Sequence, residues 1–200
     1  MRSSTPADLA GRCPSCYLPT ALCLCAEVPR VETRTGFLVI RHNKESTKST
    51  NTARLAALAL PRCRILPYGA PGQPFDLSVL GEPGTWLLFP DAHPPPPGTP
   101  PPERVVVLDG NWTQARHMYQ RLPALRRLPG LVLPCPLPEA RRLRRSPDSQ
   151  SMSTVEAIAG ALALLESEEV ARPLYALHDL MIDRVLASRG RTRAWEGRSP

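Results

Sequence analysis

Residues Arg104–Arg116 read RVVVLDGNWTQAR. Val105–Leu108 form an apolar run, three of its side chains β-branched, that ends in Asp109, Gly110, Asn111 and Trp112. A short run of this kind closed by a glycine turn is the pattern of a strand covered on both faces of a parallel sheet. Trp112–Arg121 then carries a helical polar and apolar pattern. In open α/β sheets, ligands collect at the carboxyl ends of the strands. Asp109 is expected at such an end, with the aromatic Trp112 close behind it, and the active site is expected there.

The same alternation runs along the rest of the chain. Gly36–His42 reads as a strand, and Ser49–Leu60 as a helix with Leu55, Leu58 and an alanine face buried. Arg62–Leu66, Thr85–Phe89 and Leu131–Leu133 read as further strands. His93–Glu103, HPPPPGTPPPE, is expected to be a solvated polyproline-like loop. A helix is expected over Thr154–Glu166, where Val155, Ile158, Leu162 and Leu165 share one face. A last helix is placed at Pro173–Ser188, with Pro173 in its first turn. Alternating strands and helices predict an α/β fold, a mostly parallel sheet with helices on both faces. Residues 1–11 read as disordered, 12–30 as a cysteine module, 31–188 as the α/β domain and 189–200 as a flexible basic tail.

The chain has 200 residues, enough for one sizeable domain, and 42% hydrophobic content supplies a core. Aromatics are only 5%, which argues against a surface built mainly of stacking rings. Net charge is +7, which points to a polyanionic partner. Arg126, Arg127, Arg141, Arg142, Arg144 and Arg145 concentrate that charge in a short span. The first residues lack the apolar core of a signal peptide, and no stretch is long and apolar enough to cross a bilayer. A cytoplasmic protein with reduced thiols is expected.

Cys13, Cys16, Cys23 and Cys25 are spaced C-x2-C-x6-C-x-C. Four thiols so close together in a reducing compartment suit tetrahedral zinc. No neighbouring side chain looks placed to activate a metal-bound water, so the site reads as closed and structural. Cys63 and Cys135, in apolar surroundings, read as core.

Arg41–Arg54, RHNKESTKSTNTAR, carries hydroxyls, amides and lysines from a strand end into a helix start. Free N–H groups at such a start suit a carboxylate or phosphate, whereas capping would use only one of these side chains. No Walker-type Gly-Lys-Ser pattern is present, which excludes the usual triphosphate loop. Ser153-Thr154-Val155-Glu156 fits a capping box, and its arginine-rich upstream neighbour makes it also a cradle for phosphate or an amino-acid carboxylate. Asp109 and Trp112 each have a plain reading too, as helix cap and as packing.

Taken together and in this order, the cysteines, HNKESTKSTNTARLA, LDGNWTQA, RRLRR and STVEA resemble the DTW-domain family, the tRNA-uridine aminocarboxypropyltransferases. The likeness spans Cys13 to about Leu165. It departs at the signature Asp-x-Thr-Trp, which is Asp109-Gly110-Asn111-Trp112 here. The resemblance implies a SPOUT-like fold with a C-terminal knot and S-adenosylmethionine as cofactor. It also implies transfer of the 3-amino-3-carboxypropyl group to N3 of a tRNA uridine, in the variable loop in bacterial members. A SPOUT-like RNA methyltransferase and a zinc-bearing RNA-binding protein are the alternatives. Asp109 and Trp112 are the expected catalytic residues, Asp109 as base or as partner of the cofactor ammonium. Pro90, Leu108, Asp109, Ser153, Thr154 and Glu156 are expected at the cofactor. His42, Lys44, Glu45, Lys48, Thr50, Asn51, Thr52, Arg54, Arg142, Arg144 and Arg145 are expected at the tRNA, and the four cysteines at zinc. Neither oligomeric state nor a protein partner follows from the sequence.

Overall fold

A computed structural model describes residues 10–133 and 152–190. Five strands lie parallel: β1 (Gly36–His42), β2 (Cys63–Tyr68), β3 (Thr85–Leu88), β4 (Arg104–Asp109) and β5 (Gly130–Leu131), in the order β2-β1-β4-β3-β5. The helices are α1 (Ala53–Ala59), α2 (Trp112–Arg121), α3 (Thr154–Leu165) and α4 (Glu168–Ala187). The α/β fold with a parallel sheet and helices on both faces is as expected.

Strand periodicity divides the core. Phe37, Val39, Trp86, Leu88, Val105 and Val107 face one side, packed with α1, α3 and α4. Leu38, Ile40, Leu87, Phe89, Val106 and Leu108 face the other, where α2 presents Ala115, Met118 and Tyr119 at helical spacing. Both faces of the central strands are thus dry, which is why Val105–Leu108 has no polar alternation.

The sheet order also places the ligand crevice. From β1 the chain crosses to β2 on one side, whereas β4 is followed by β5 on the other. The carboxyl ends of β1 and β4 therefore flank a topological switch point, where open sheets bind ligands. Arg41 of β1 and Asp109 of β4 are register partners at that point.

Several boundaries differ from expectation. α1 begins at Ala53 rather than Ser49, because Asn43–Glu45 form a short 3-10 turn and the following residues make turns. Leu58 is 38% exposed, on the outer side of this two-turn helix, while Leu55, Ala56 and Ala59 are buried. β2 extends through Pro67 to Tyr68, which an edge strand tolerates. β5 occupies Gly130–Leu131, not Leu131–Leu133, because only these two residues pair with Leu87 and Leu88 of the short β3; Gly130 also donates its N–H to the His93 carbonyl at 2.6 Å. A Cβ there would lie 2.5 Å from that oxygen, so only glycine fits.

α4 starts five residues before Pro173, capped by Ser167, whose Oγ accepts from the Val170 N–H at 3.4 Å. Pro173 is therefore inside the helix, and the carbonyl it leaves free belongs to the exposed Glu169. The cysteine module packs on the α1 and α4 side, with Cys16, Leu18 and Leu24 buried in the same core. Arg184 on α4 pairs with Glu27 at 2.5 Å. Among the described residues, no helix is long and apolar enough to cross a membrane. Cys63 is buried, as expected; Cys135, residues 1–9, the arginine-rich loop over 138–151 and the tail from 191 lie outside the described residues.

Candidate active site

Asp109 ends β4 on the face covered by α3 and is 4% exposed. Its Oδ1 accepts from the Thr154 hydroxyl at 2.6 Å, and its Oδ2 accepts from the Asn51 amide at 2.6 Å. Burial pushes its carboxyl above the ordinary range, against the pull of the Thr154 and Asn51 hydrogen bonds. Glu45 pushes the same way and Arg41 opposes. A buried carboxylate with raised basicity at a switch point suits proton transfer.

Asp109 does not cap α2. Asn111 does: its Oδ1 accepts the Gln114 N–H at 2.9 Å, and Gln114 Oε1 accepts the Asn111 N–H at 2.7 Å. The signature's threonine position is thus a capping position, which asparagine fills. With the cap supplied from Asn111, Asp109 is left for other chemistry. Gly110 is required because a Cβ would lie 2.9 Å from that of Gln114. Trp112 is 52% exposed and stacks on Phe89 at 5.6 Å with a 15° interplanar angle. It is a platform at the helix start rather than a wedge between helix and sheet.

The block after β1 divides its tasks. Asn51 and Thr52 are buried, and Thr52 Oγ1 accepts the Val155 N–H of α3 at 3.4 Å, so this hydroxyl serves another helix than its own. Arg54 is buried with its guanidinium 3.6 Å from the centre of the Tyr17 ring. It donates to the carbonyls of Ser46 at 2.9 Å and Lys48 at 3.2 Å. Buried Glu45 pairs with Lys48. Lys44 is exposed and Thr50 half-buried. His42 Nδ1 accepts the Lys44 N–H at 3.2 Å, and burial, with Lys44 next, holds the imidazole below its ordinary pKa.

At the α3 start, Thr154 reaches Asp109 while Ser153 and Glu156 form the expected capping box. Ser153 Oγ also lies 3.3 Å from His178 Nε2, and Glu156 Oε1 lies 3.8 Å from His178 Nδ1. This buried histidine of α4 had no motif to mark it. Leu108 points into the opposite core from Asp109, and Pro90 is exposed just after β3. Arg142, Arg144 and Arg145 lie outside the described residues.

The four cysteine sulfurs lie within 4.8 Å of one another, with Cys13–Cys25 at 3.6 Å and Cys16–Cys23 at 3.8 Å. Tetrahedral Zn–S bonds of about 2.3 Å require sulfurs roughly 3.8 Å apart. The donor set therefore fits zinc. Backbone N–H groups of Cys16 and Ser15 lower the Cys13 pKa to about 6, whereas burial raises that of Cys25. Tyr17, which follows this knuckle with φ 61°, carries the ring on which Arg54 rests.

Among the described residues, two buried polar atoms near the carboxyl ends of β1 and β4 lack a hydrogen-bond partner: Arg41 Nε and Asn51 Oδ1. Buried polar groups are normally satisfied, so a pair of opposite character marks a place for a polar ligand. Cavities of about 300 Å³ beside Ser15, Cys25 and Leu58, and about 190 Å³ beside Gly36, Arg62 and Arg104, are not lined by Asp109 or its partners.

The DTW-domain family model matches residues 10–186, from the cysteine knuckle through Asp109 to the end of α4. The chain belongs to the DTW-domain family. This DTW chain is similar to the tRNA-uridine aminocarboxypropyltransferase 2 of Drosophila melanogaster, 28% identical over 90% of this chain and 79% of the relative. It is 29% identical to the Mus musculus protein of the same name, over 86% of this chain and 63% of the relative. It is 26% identical to tRNA-uridine aminocarboxypropyltransferase A of Arabidopsis thaliana, over 85% of this chain and 79% of the relative. The DTW chain thus spans less than two thirds of the mouse protein. No solved structure matches it.

Proposed function

We propose that this DTW protein transfers the 3-amino-3-carboxypropyl group of S-adenosylmethionine to N3 of a tRNA uridine, with the variable loop as target. The observation that carries this reading is its likeness to proteins of that name across most of the chain. Bound S-adenosylmethionine supplies an electrophilic methylene carbon on its sulfonium, so a C–S bond is exchanged for an N–C bond with release of the thioether. The chain has to bind, orient and deprotonate.

Asp109 is the proposed acceptor of the N3 proton, its Oδ atoms fixed by Thr154 and Asn51. Burial raises its proton affinity, which brings it nearer that of the weakly acidic imide. Which carbon reacts is a matter of position, because methyl and methylene sit on the same sulfur. The α3 start at Ser153–Thr154, with Pro90 just after β3 and the backbone of Leu108 beside Asp109, is the proposed cofactor rim. Trp112 offers the uracil or a neighbouring base a rigid ring face.

Lys44, Thr50, Arg142, Arg144 and Arg145 are the proposed phosphate contacts. His42, Glu45, Lys48, Thr52 and Arg54 act by shaping the loop that carries Asn51. Zinc on Cys13, Cys16, Cys23 and Cys25 is structural, and a SPOUT-like knotted crossover and cytoplasmic location complete the reading. Nucleoside mass spectrometry of tRNA incubated with protein and S-adenosylmethionine tests it. The expected product is uridine heavier by one aminocarboxypropyl group; a methyl increment, or none, overturns the proposal.

A further inference from the structure

Among the polar groups around Asp109, Arg41 and Asn51 pose a question that folding alone does not answer. Among the described residues, Nε of Arg41 is a buried donor with no acceptor, and Oδ1 of Asn51 a buried acceptor with no donor. A buried donor or acceptor left without a partner opposes folding unless something else satisfies it. The amide orientation of Asn51 is set by Asp109, since its nitrogen donates to Oδ2 at 2.6 Å and a flipped oxygen would meet a carboxylate. Its carbonyl is therefore held ready rather than misplaced.

The two atoms belong to one locality. Arg41 is the register partner of Asp109, and Asn51 is bonded to Asp109. Of the neighbouring charges, Glu45 is occupied by Lys48, and Arg54 by the Ser46 and Lys48 carbonyls. Neither supplies the missing partners. A cationic donor and a neutral acceptor flanking one carboxylate complement a zwitterion with an anionic and an ammonium end.

We propose that Arg41 and Asn51 receive the amino-acid end of bound S-adenosylmethionine, the guanidinium taking the α-carboxylate and the Asn51 carbonyl taking the α-ammonium. This rests on the functional reading above and adds the means by which it selects a carbon. Fixing both polar groups of the arm at the ends of β1 and β4 fixes the path of its methylenes, while the methyl on sulfur receives no such hold. A uracil edge also offers acceptors beside a donor. It fits less well, because its N3 must stay open to carbon and its carbonyls carry no full charge to meet a guanidinium.

Calorimetry on the full chain tests this with three ligands: S-adenosylmethionine, decarboxylated S-adenosylmethionine and 5′-methylthioadenosine. In Arg41→Met, affinity for S-adenosylmethionine is expected to fall about 10- to 100-fold, the equivalent of one charge-assisted hydrogen bond. Affinity for the other two should hold, because neither has the carboxylate. Asn51→Ala should weaken the two ligands that carry the ammonium and spare 5′-methylthioadenosine. Thermal unfolding of Arg41→Met should lie at or above that of the parent, since no internal hydrogen bond of Nε is lost and an unpaired donor is removed.

Unchanged affinity for all three ligands in Arg41→Met overturns the proposal, as would be found if Arg41 met the uracil. Equal loss for all three also overturns it, as the mark of a distorted site. So does a parent protein that binds none of them. If the carboxylate-dependent loss is found but the product nucleoside carries a methyl group, the subsite stands and the functional reading fails. If aminocarboxypropyl transfer is found without that loss, the subsite fails alone.

Discussion

Asn51 donates its amide to Oδ2 of Asp109 at 2.6 Å across 58 residues of sequence. The bond joins the loop after β1 to the end of β4, while Thr154 takes the other carboxylate oxygen from α3. Three separate segments thus meet on one side chain at the switch point of the sheet.

Asp109→Asn should fold and lose transfer. Loss of a general base typically costs about 10²–10⁴ in rate. Single-turnover transfer at saturating tRNA and cofactor is the measurement, with tRNA affinity as the control. A variant with parent-like turnover would remove Asp109 from the chemistry.

Asp109 also sets a pH dependence. Its folded pKa is raised above the ordinary 3.8, so the folded state holds its proton more tightly than the unfolded chain. The corresponding stability is fully present below about 3.8 and is lost as pH rises through the folded value. The stability of Asp109→Asn relative to the parent should therefore grow with pH across that interval. Urea titrations of both proteins over a pH series check the sign; a flat or falling difference contradicts it.

Arg54 holds two loop carbonyls and rests on Tyr17. Arg54→Met should lower stability by about 1–3 kcal/mol, because it leaves two partly buried carbonyls unpaired and removes the contact with Tyr17. The salt dependence of tRNA binding should keep its slope, since this guanidinium is turned to the protein. A flattened slope would make Arg54 a phosphate contact instead.

Zinc removal should act at a distance. The cysteine module contributes Cys16, Leu18 and Leu24 to the core and supplies Tyr17 to Arg54. Metal analysis should find one zinc per chain. Treatment with a strong chelator, or Cys16→Ser, should lower the melting temperature by several degrees and reduce transfer together with it. Full stability in metal-free protein would contradict a structural zinc.

Replacing Arg144 and Arg145 with serine should weaken tRNA binding and reduce the slope of log affinity against log salt by roughly 0.7–0.9 per lost phosphate contact. Cofactor affinity should be unaffected. An unchanged slope would return these arginines to the solvated surface.

Val105–Leu108, Gly36–His42 and the helix that follows Asn111 were legible because buried parallel strands and amphipathic helices write their periods into local sequence. The cysteine spacing was legible for a similar reason, since a knuckle brings its own sulfurs together. The start of α4 was misread at Pro173 because a proline inside a helix is tolerated where the carbonyl it orphans reaches water. Leu58 was misread because a two-turn helix shows too few residues to define its buried face.

The identities of the polar residues near Asp109 were on the page, but not their tasks. Asn111 rather than Asp109 caps α2, Thr52 serves α3, and Arg54 serves a loop. Arg41 opens the block Arg41–Arg54 but has no role legible in the sequence; its register with Asp109 and its unpaired Nε supply one. Local sequence determines which segments are strands, helices and thiolate knuckles, because those depend on neighbours within a few residues. Which side chains meet at the carboxyl ends of β1 and β4 depends on strand order and helix docking, where hydrogen bonds span 45 to 103 residues and no local period records them.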